Sequence, residues 1–516
     1  MQVLPSKFAI PQTPTDVYIV GAFKGSPQNC EMVGVPFSIP TLDSKPLTVL
    51  DQNLKGLAGR ALRELNFKGE VGESAAFRTD VETPAEHIVV VGLGEKQKFG
   101  LDAVRRASAI AIGKASELKA KTVSTTLHGL EFLSPEKAAL ELTEASLAAT
   151  YRFDVYKSKQ EGHDIKSLTI VEPFEDPSLS QGIENGISLG SAFADARSLA
   201  RDIMNEPPNY MTPSKLAHMA ENVANRNDLQ YEIFDKGQCE KLGMRAFLAV
   251  AKGSEEPPKF IVMKYIPKGK PIRHIALVGK GVTFDSGGLS LKSNDSMQDM
   301  KFDKGGAAAV IGTMSALSTI NPGVQITAII PAVENMPSGS AVRPGDIVCA
   351  MNEKTIEIMN TDAEGRLILA DAIAYAVSIG ADEIIDIATL TGAVETALGQ
   401  SYTGVMTNNQ SLADKVIKAG NEAGEPMWQL PLCDDYREDI KSKVADIKNI
   451  GAKGMAGAQA GAVFLEEFTG QPEKPWVHLD IAGSGFPSKR IEERYGIVGP
   501  PGVGVRTLIN YLTNYA

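Results

Sequence analysis

A chain of 516 residues is too long for one ordinary core and predicts two domains or three. Its 43% hydrophobic and 22% charged residues are those of a soluble globular protein. A formal net charge of -11 argues against nucleic acid or an anionic membrane as the main partner, since both select a basic face.

The first residues, Met1 to Lys7, lack a basic region followed by an apolar core, so no secretory signal is expected. No apolar run is long enough to cross a bilayer. Cys30, Cys239, Cys349 and Cys433 lie far apart and form no C-x-x-C pair. They are expected as buried small hydrophobes in a reduced, cytoplasmic compartment. The six histidines show no H-E-x-x-H spacing, which argues against a histidine-based zinc site.

Residues 1–175 read as a smaller α/β domain. Apolar runs at 17–20 and 87–91 predict buried strands, and 101–118 and 135–149 predict helices. Gly92 and Gly94 follow a strand, but the third glycine of a dinucleotide fingerprint is missing. No titratable cluster gathers here, so this domain is assigned oligomer geometry or access control rather than catalysis. Asp176-Pro177-Ser178 marks a break, and apolar spacing across 176–204 predicts a connecting helix that stops at the prolines after Glu206. Thr212-Pro213-Ser214 opens the next helix. From 205 to 516, strands at 260–265, 274–278, 325–331 and 383–388 alternate with helices such as 305–317. That pattern predicts a mixed, mostly parallel sheet sandwiched by helices.

Two glycine-rich loops carry the chemistry. The first follows the strand at 274–278 and holds Lys280, Asp285, Lys292 and Asp303. It does not match G-x-x-x-x-G-K-[ST], so a phosphate cradle is disfavoured. The second is Asn360-Thr361-Asp362-Ala363-Glu364-Gly365-Arg366-Leu367, between a strand at 355–359 and a helical pattern. Its charged residues stand at alternate positions, which an extended segment would point one way. The small residues between them let something large approach the backbone. Singly, each aspartate is a helix cap or a loop residue and each lysine is a surface lysine. Together, four carboxylates in one cleft repel one another, and divalent cations remove that problem. Such sites commonly hold two metals roughly 3.5–4 Å apart. Oxygen donors suit magnesium or manganese, and zinc tolerates them.

These residues resemble the leucyl aminopeptidases, the cytosol aminopeptidase family of two-metal exopeptidases. The run at 360–367 matches the family signature intact, and matching stretches include Glu334-Asn335-Met336, Ala388-Thr389-Leu390-Thr391-Gly392 and Trp476-Val477-His478-Leu479-Asp480. The resemblance covers about residues 180–516. It implies one metal on Lys280, Asp285, Asp303 and Glu364 and another on Asp285, Asp362 and Glu364, with manganese or zinc as the ions. Lys292 is implied to contact the substrate carbonyl oxygen, and Arg366 to hold a bicarbonate that acts as base. Met300, Thr389 and Gly392 match the pocket for the first side chain, and Leu390 a backbone contact to the substrate amine. The family further implies hydrolysis of the N-terminal residue, leucine and other apolar residues foremost, from short peptides with a free N-terminus, and a homo-hexamer of two trimers. Two positions depart from the pattern. Lys304 stands where an apolar residue such as Met is usual, and there a cation either weakens metal binding or points to solvent. Ser293 replaces the usual proline after Lys292, which is expected to loosen the loop. Two competing readings are a two-metal phosphohydrolase or nuclease and a non-catalytic scaffold.

Overall fold

The structure is a computed structural model and describes residues 1–6, 14–24, 42–43, 45–79, 85–159, 165–171 and 177–516. The chain divides into two compact units, Met1–Ala194 with Lys489–Val498, and Asp195–Ser488 with Gly499–Ala516. The long helix Pro177–Asn205 contains the boundary between them.

In the first unit a seven-stranded sheet is mostly parallel. Its centre is Thr15–Lys24 beside Ala85–Gly94, both buried over most of their length, as continuous apolar runs in a parallel sheet must be. Leu101–Glu117 and Pro135–Thr150 pack on one face. Each lies within a residue of the span that periodicity predicts. Ser134 caps the second of these helices by accepting from the Lys137 N–H, with Pro135 in the first turn.

The second unit is built on a nine-stranded mixed sheet. Gly281–Asp285, Gln325–Asn335, His274–Gly279, Glu383–Ala388 and Trp476–Asp480 run parallel to one another at its centre. Their carboxyl ends therefore share one edge, where open α/β sheets bind ligands. Antiparallel strands flank them on both sides: Lys259–Tyr265 pairs with Gln325–Asn335, and Thr403–Thr407 with Trp476–Asp480. Helices Gly305–Ile320 and Glu364–Ser378 are buried over most of their length. The first of these comes so close to the sheet that a Cβ on Gly306 would meet the Ile387 carbonyl oxygen at 2.0 Å. Only glycine permits that approach.

Among the described residues no helix is long and apolar enough to cross a membrane. Cys239 is buried as expected, but Cys349 and Cys433 are only half-buried, because they lie in short surface-facing segments rather than core strands. Cys30 lies outside the described residues.

Candidate metal centre and active-site cavity

A cavity of about 640 Å³ opens at the carboxyl edge of the second sheet. Lys280, Asp285, Lys292, Met300, Asp303, Asp362, Glu364, Thr389, Leu390 and Gly392 all line it. Arg366, expected beside them, does not. Strand-like alternation does not hold there, for a simple reason. Glu364 begins the helix Glu364–Ser378, and residues two apart on a helix point about 200° apart. Arg366 is instead buried below the loop, where it donates from Nη1 to the Asn449 carbonyl at 2.9 Å.

The carboxylates converge from separate elements. Asp285 ends its strand, Asp303 precedes the helix Gly305–Ile320, and Glu364 opens its own helix. One carboxylate oxygen of each lies within 4.8 Å of the others, and all three side chains are buried. Lys280 Nζ sits 2.7 Å from Asp303 Oδ1 and 2.9 Å from Glu364 Oε1, and donates to the Thr389 carbonyl at 2.8 Å. Lys292 Nζ sits 2.8 Å from Asp285 Oδ2 and 2.5 Å from Asp362 Oδ1. The large group that passes the small residues of the second loop is Lys280 itself. A Cβ on Gly365 would fall 2.7 Å from its Cε and Nζ.

Four carboxylates against two ammonium groups leave an excess of negative charge. Burial, with the charges of Glu364 and Asp285, drives Asp303 well above the usual carboxylate range despite Lys280. Burial and Glu364 likewise raise Asp285, and burial and Asp285 raise Asp362. Burial opposes charge on Lys280 and Lys292, yet the surrounding carboxylates hold both above the ordinary lysine value. Asp303 Oδ2 is buried with no hydrogen-bond partner. A buried acceptor left unmade in a cluster with excess negative charge fits a cation. The donor set of carboxylate oxygens and a lysine nitrogen therefore suits a divalent metal.

Three supporting side chains had no role assigned from the sequence. Asn335 Nδ2 donates to Asp285 Oδ1 at 2.8 Å and to the Thr361 carbonyl at 2.9 Å, so it joins the two loops. Asn449 accepts from the Met359 N–H and donates to the Asn360 carbonyl, pinning the second loop from below. Asp480 Oδ1 accepts from the Leu390 N–H at 3.1 Å and Oδ2 from the Thr391 hydroxyl at 2.7 Å, which fixes the loop at 389–392. A polar residue ending a buried strand was the available signal for Asn335 and Asp480.

The structure places both departures. Lys304 does not reach solvent: it is fully buried and donates to the carbonyls of Lys301 at 2.5 Å and Glu206 at 3.2 Å. Burial brings it down to about 7. Ser293 caps the short helix Asn294–Met297, accepting from the Ser296 N–H at 3.3 Å.

The family model of the cytosol aminopeptidase catalytic domain matches residues 198–509, and that of the N-terminal domain matches 33–160. The chain belongs to the cytosol aminopeptidase family. It is a metal-dependent aminopeptidase, a hydrolase acting on peptides. It is 40% identical over 511 residues to a probable cytosol aminopeptidase of Alkaliphilus oremlandii, covering 98% of each chain. It is 41% identical over 494 residues to one of Aquifex aeolicus, covering 96% of this chain and 98% of that one. A tomato leucine aminopeptidase mutant superposes with a TM-score of 0.87 at 34% identity, over 99% of this chain and 96% of that one. The bottromycin maturation enzyme BotP in complex with Mn superposes with a TM-score of 0.82 at 31% identity, over 96% and 99%. The phosphohydrolase and scaffold readings give way to peptide hydrolysis.

Proposed function

We propose that this aminopeptidase removes leucine and other apolar first residues from short peptides, using two divalent ions held by Lys280, Asp285, Asp303, Asp362 and Glu364. The observation that carries the reading is the buried convergence of Asp285, Asp303 and Glu364 with an excess of negative charge. Manganese or zinc fits these donors, and Mn accompanies the BotP relative. The bound ions would activate a water and polarise the scissile carbonyl.

The chain's own groups supply the rest. Lys292 is flexible, charged and at the cavity wall, so its ammonium can turn from Asp285 and Asp362 to the oxygen that gains negative charge. Among the described residues no histidine lines the cavity to serve as base. Arg366 has one N–H on Asn449, and its guanidinium offers further donors for a planar oxyanion such as bicarbonate, which would supply that base. Met300, Thr389 and Gly392 line the cavity where the first side chain would sit, and the Leu390 backbone would contact the substrate amine. Thr389 also donates to Asp303 Oδ1 at 2.8 Å, tying pocket wall to ligand set.

The reading extends to a cytoplasmic homo-hexamer of two trimers. In it residues 1–175 set oligomer geometry and access, 176–204 connect, and 205–516 catalyse. The family match over both domains supports this. The deciding experiment compares leucine amide with N-acetyl-leucine amide, after chelation and after return of manganese or zinc. Metal-restored turnover of the free-amine substrate alone is expected. Equal turnover of the blocked substrate would defeat the exopeptidase reading.

A further inference from the structure

Phe486 and Pro487 also line the active-site cavity. The Phe486 ring lies 5.9 Å, centroid to centroid, from that of Phe302, on the turn that runs from Met300 to Asp303. Just beyond Pro487 the chain leaves the catalytic unit, for Lys489–Val498 belongs to the compact unit of residues 1–194. Its helix, Lys489–Tyr495, packs on Leu101–Glu117. There Asp102 accepts from Arg494 Nη2 at 2.7 Å and from the Tyr495 hydroxyl at 2.6 Å. Burial works against charge on Asp102, yet Tyr495 and Arg494 hold its carboxyl below the usual range. The Arg494 guanidinium also lies over the Tyr495 ring, 5.2 Å from its centroid. The chain re-enters the catalytic unit at Gly499 and is pinned again. Arg201 Nε donates to the Pro500 carbonyl at 3.1 Å, and Arg197 Nε to the Pro501 carbonyl at 2.7 Å. The excursion is thus held at its far end and at its return, and it starts from the cavity wall.

We infer that Asp102, Arg494 and Tyr495 are positioning residues for substrate: by holding the helix Lys489–Tyr495 they set where Phe486 and Pro487 stand in the cavity, and so how tightly peptide is bound. This rests on the reading above that the cavity takes the peptide. Only Ser488 and the helix itself separate the wall from the carboxylate's hold. A hydrogen-bonded helix has little slack, so a hold at its carboxyl end is felt at its amino end. The hold is partly exposed and modest, which suits tuning of the docked state rather than support of the fold. None of the proposed metal ligands lies on this segment. The contact therefore acts on KM and spares kcat and metal affinity.

The test compares wild type, Asp102→Ala, Phe486→Ala and the double variant as metal-loaded, full-length enzymes acting on leucine amide. Asp102→Ala is expected to raise KM about three- to tenfold while kcat stays within about twofold. In the Phe486→Ala background the same change should add nothing, because the two residues act through one contact. Trypsin cuts after Lys489, Arg490 and Arg494, and it should nick Asp102→Ala about fivefold faster than wild type, reporting release of the helix without reference to activity. Faster nicking with KM unchanged overturns the coupling, as does a KM rise that persists in full when Phe486 is absent. Loss of kcat with KM unchanged overturns it too. Failure of wild type to turn over leucine amide with metal supplied overturns the reading of the cavity, and this inference with it. Should Asp102→Ala fold poorly, Tyr495→Phe removes one hydroxyl from the same contact. A KM rise of about twofold then supports the coupling, and an unchanged KM overturns it.

Discussion

Asn335 carries no charge and coordinates nothing in any reading of the motif, yet its one amide reaches both chemical loops. Truncation in Asn335→Ala leaves Asp285 Oδ1 and the Thr361 carbonyl each short of a donor. The expected cost is about 1–3 kcal/mol of stability, measured by denaturant unfolding. A loss of about 10–100-fold in metal affinity is expected by calorimetric titration. Removing charge without changing shape separates the ligands from their supports. Asp362→Asn and Glu364→Gln should lose activity by at least about 10³-fold while circular dichroism stays native. Near-normal turnover in either would mean the ligand set is wrongly assigned. The carboxylates and lysines were legible in the sequence because chemistry restricts which residue types can serve. Asn449 was not, because nothing in a one-dimensional spacing shows that an amide 86 to 89 residues downstream lies under the loop. The direction of Arg366 was not legible, since it depends on where the helix begins.

At the scale of elements, the helix that opens with Glu364 is held from behind by Asp371. That carboxylate accepts from the Phe247 N–H at 2.8 Å and the Met351 N–H at 2.7 Å, so it ties the helix to Arg245–Ala251 and to the turn at Met351. Burial raises it to about 7, against the pull of those N–H groups. The folded form thus holds a proton that the unfolded chain releases near 3.8. Its stabilising share is fully present below about pH 4 and is lost as pH rises through about 7. The stability gap between wild type and Asp371→Asn, measured by urea unfolding, should therefore narrow or reverse across that window and level off above it. His128 in the first unit has the opposite sign. It is fully buried with Nδ1 unpartnered, and burial lowers it to about 4. Its contribution is complete above about pH 6.5 and is lost as pH falls through about 4. His128→Phe should flatten the acid limb of unfolding that wild type shows there. The alternating strands and helices of the catalytic unit were readable from apolar runs, because central parallel strands are buried on both faces. The outermost strands, such as Met427–Gln429 with its exposed Trp428, were not, since short edge segments carry little periodic signal.

For the whole molecule, bound metal is a folding ligand as well as a catalyst. Chelation should lower the melting temperature, because ions that bind only the native state add about 3 kcal/mol at a hundredfold excess over Kd. Calorimetry with and without chelator measures this directly. An unchanged melting temperature would mean that no ion is held in the cluster. The hexamer expectation is checked by light scattering on the same samples. Family membership was legible from one eight-residue run.

Gly365 has a hereditary consequence. Every single-base missense change of a glycine codon installs a larger side chain, so this position has no conservative neighbour in mutation space. Even alanine would place an atom 2.7 Å from the Lys280 amine, displacing it from Asp303 and Glu364. Any change at this glycine therefore moves the lysine's amine in the same step.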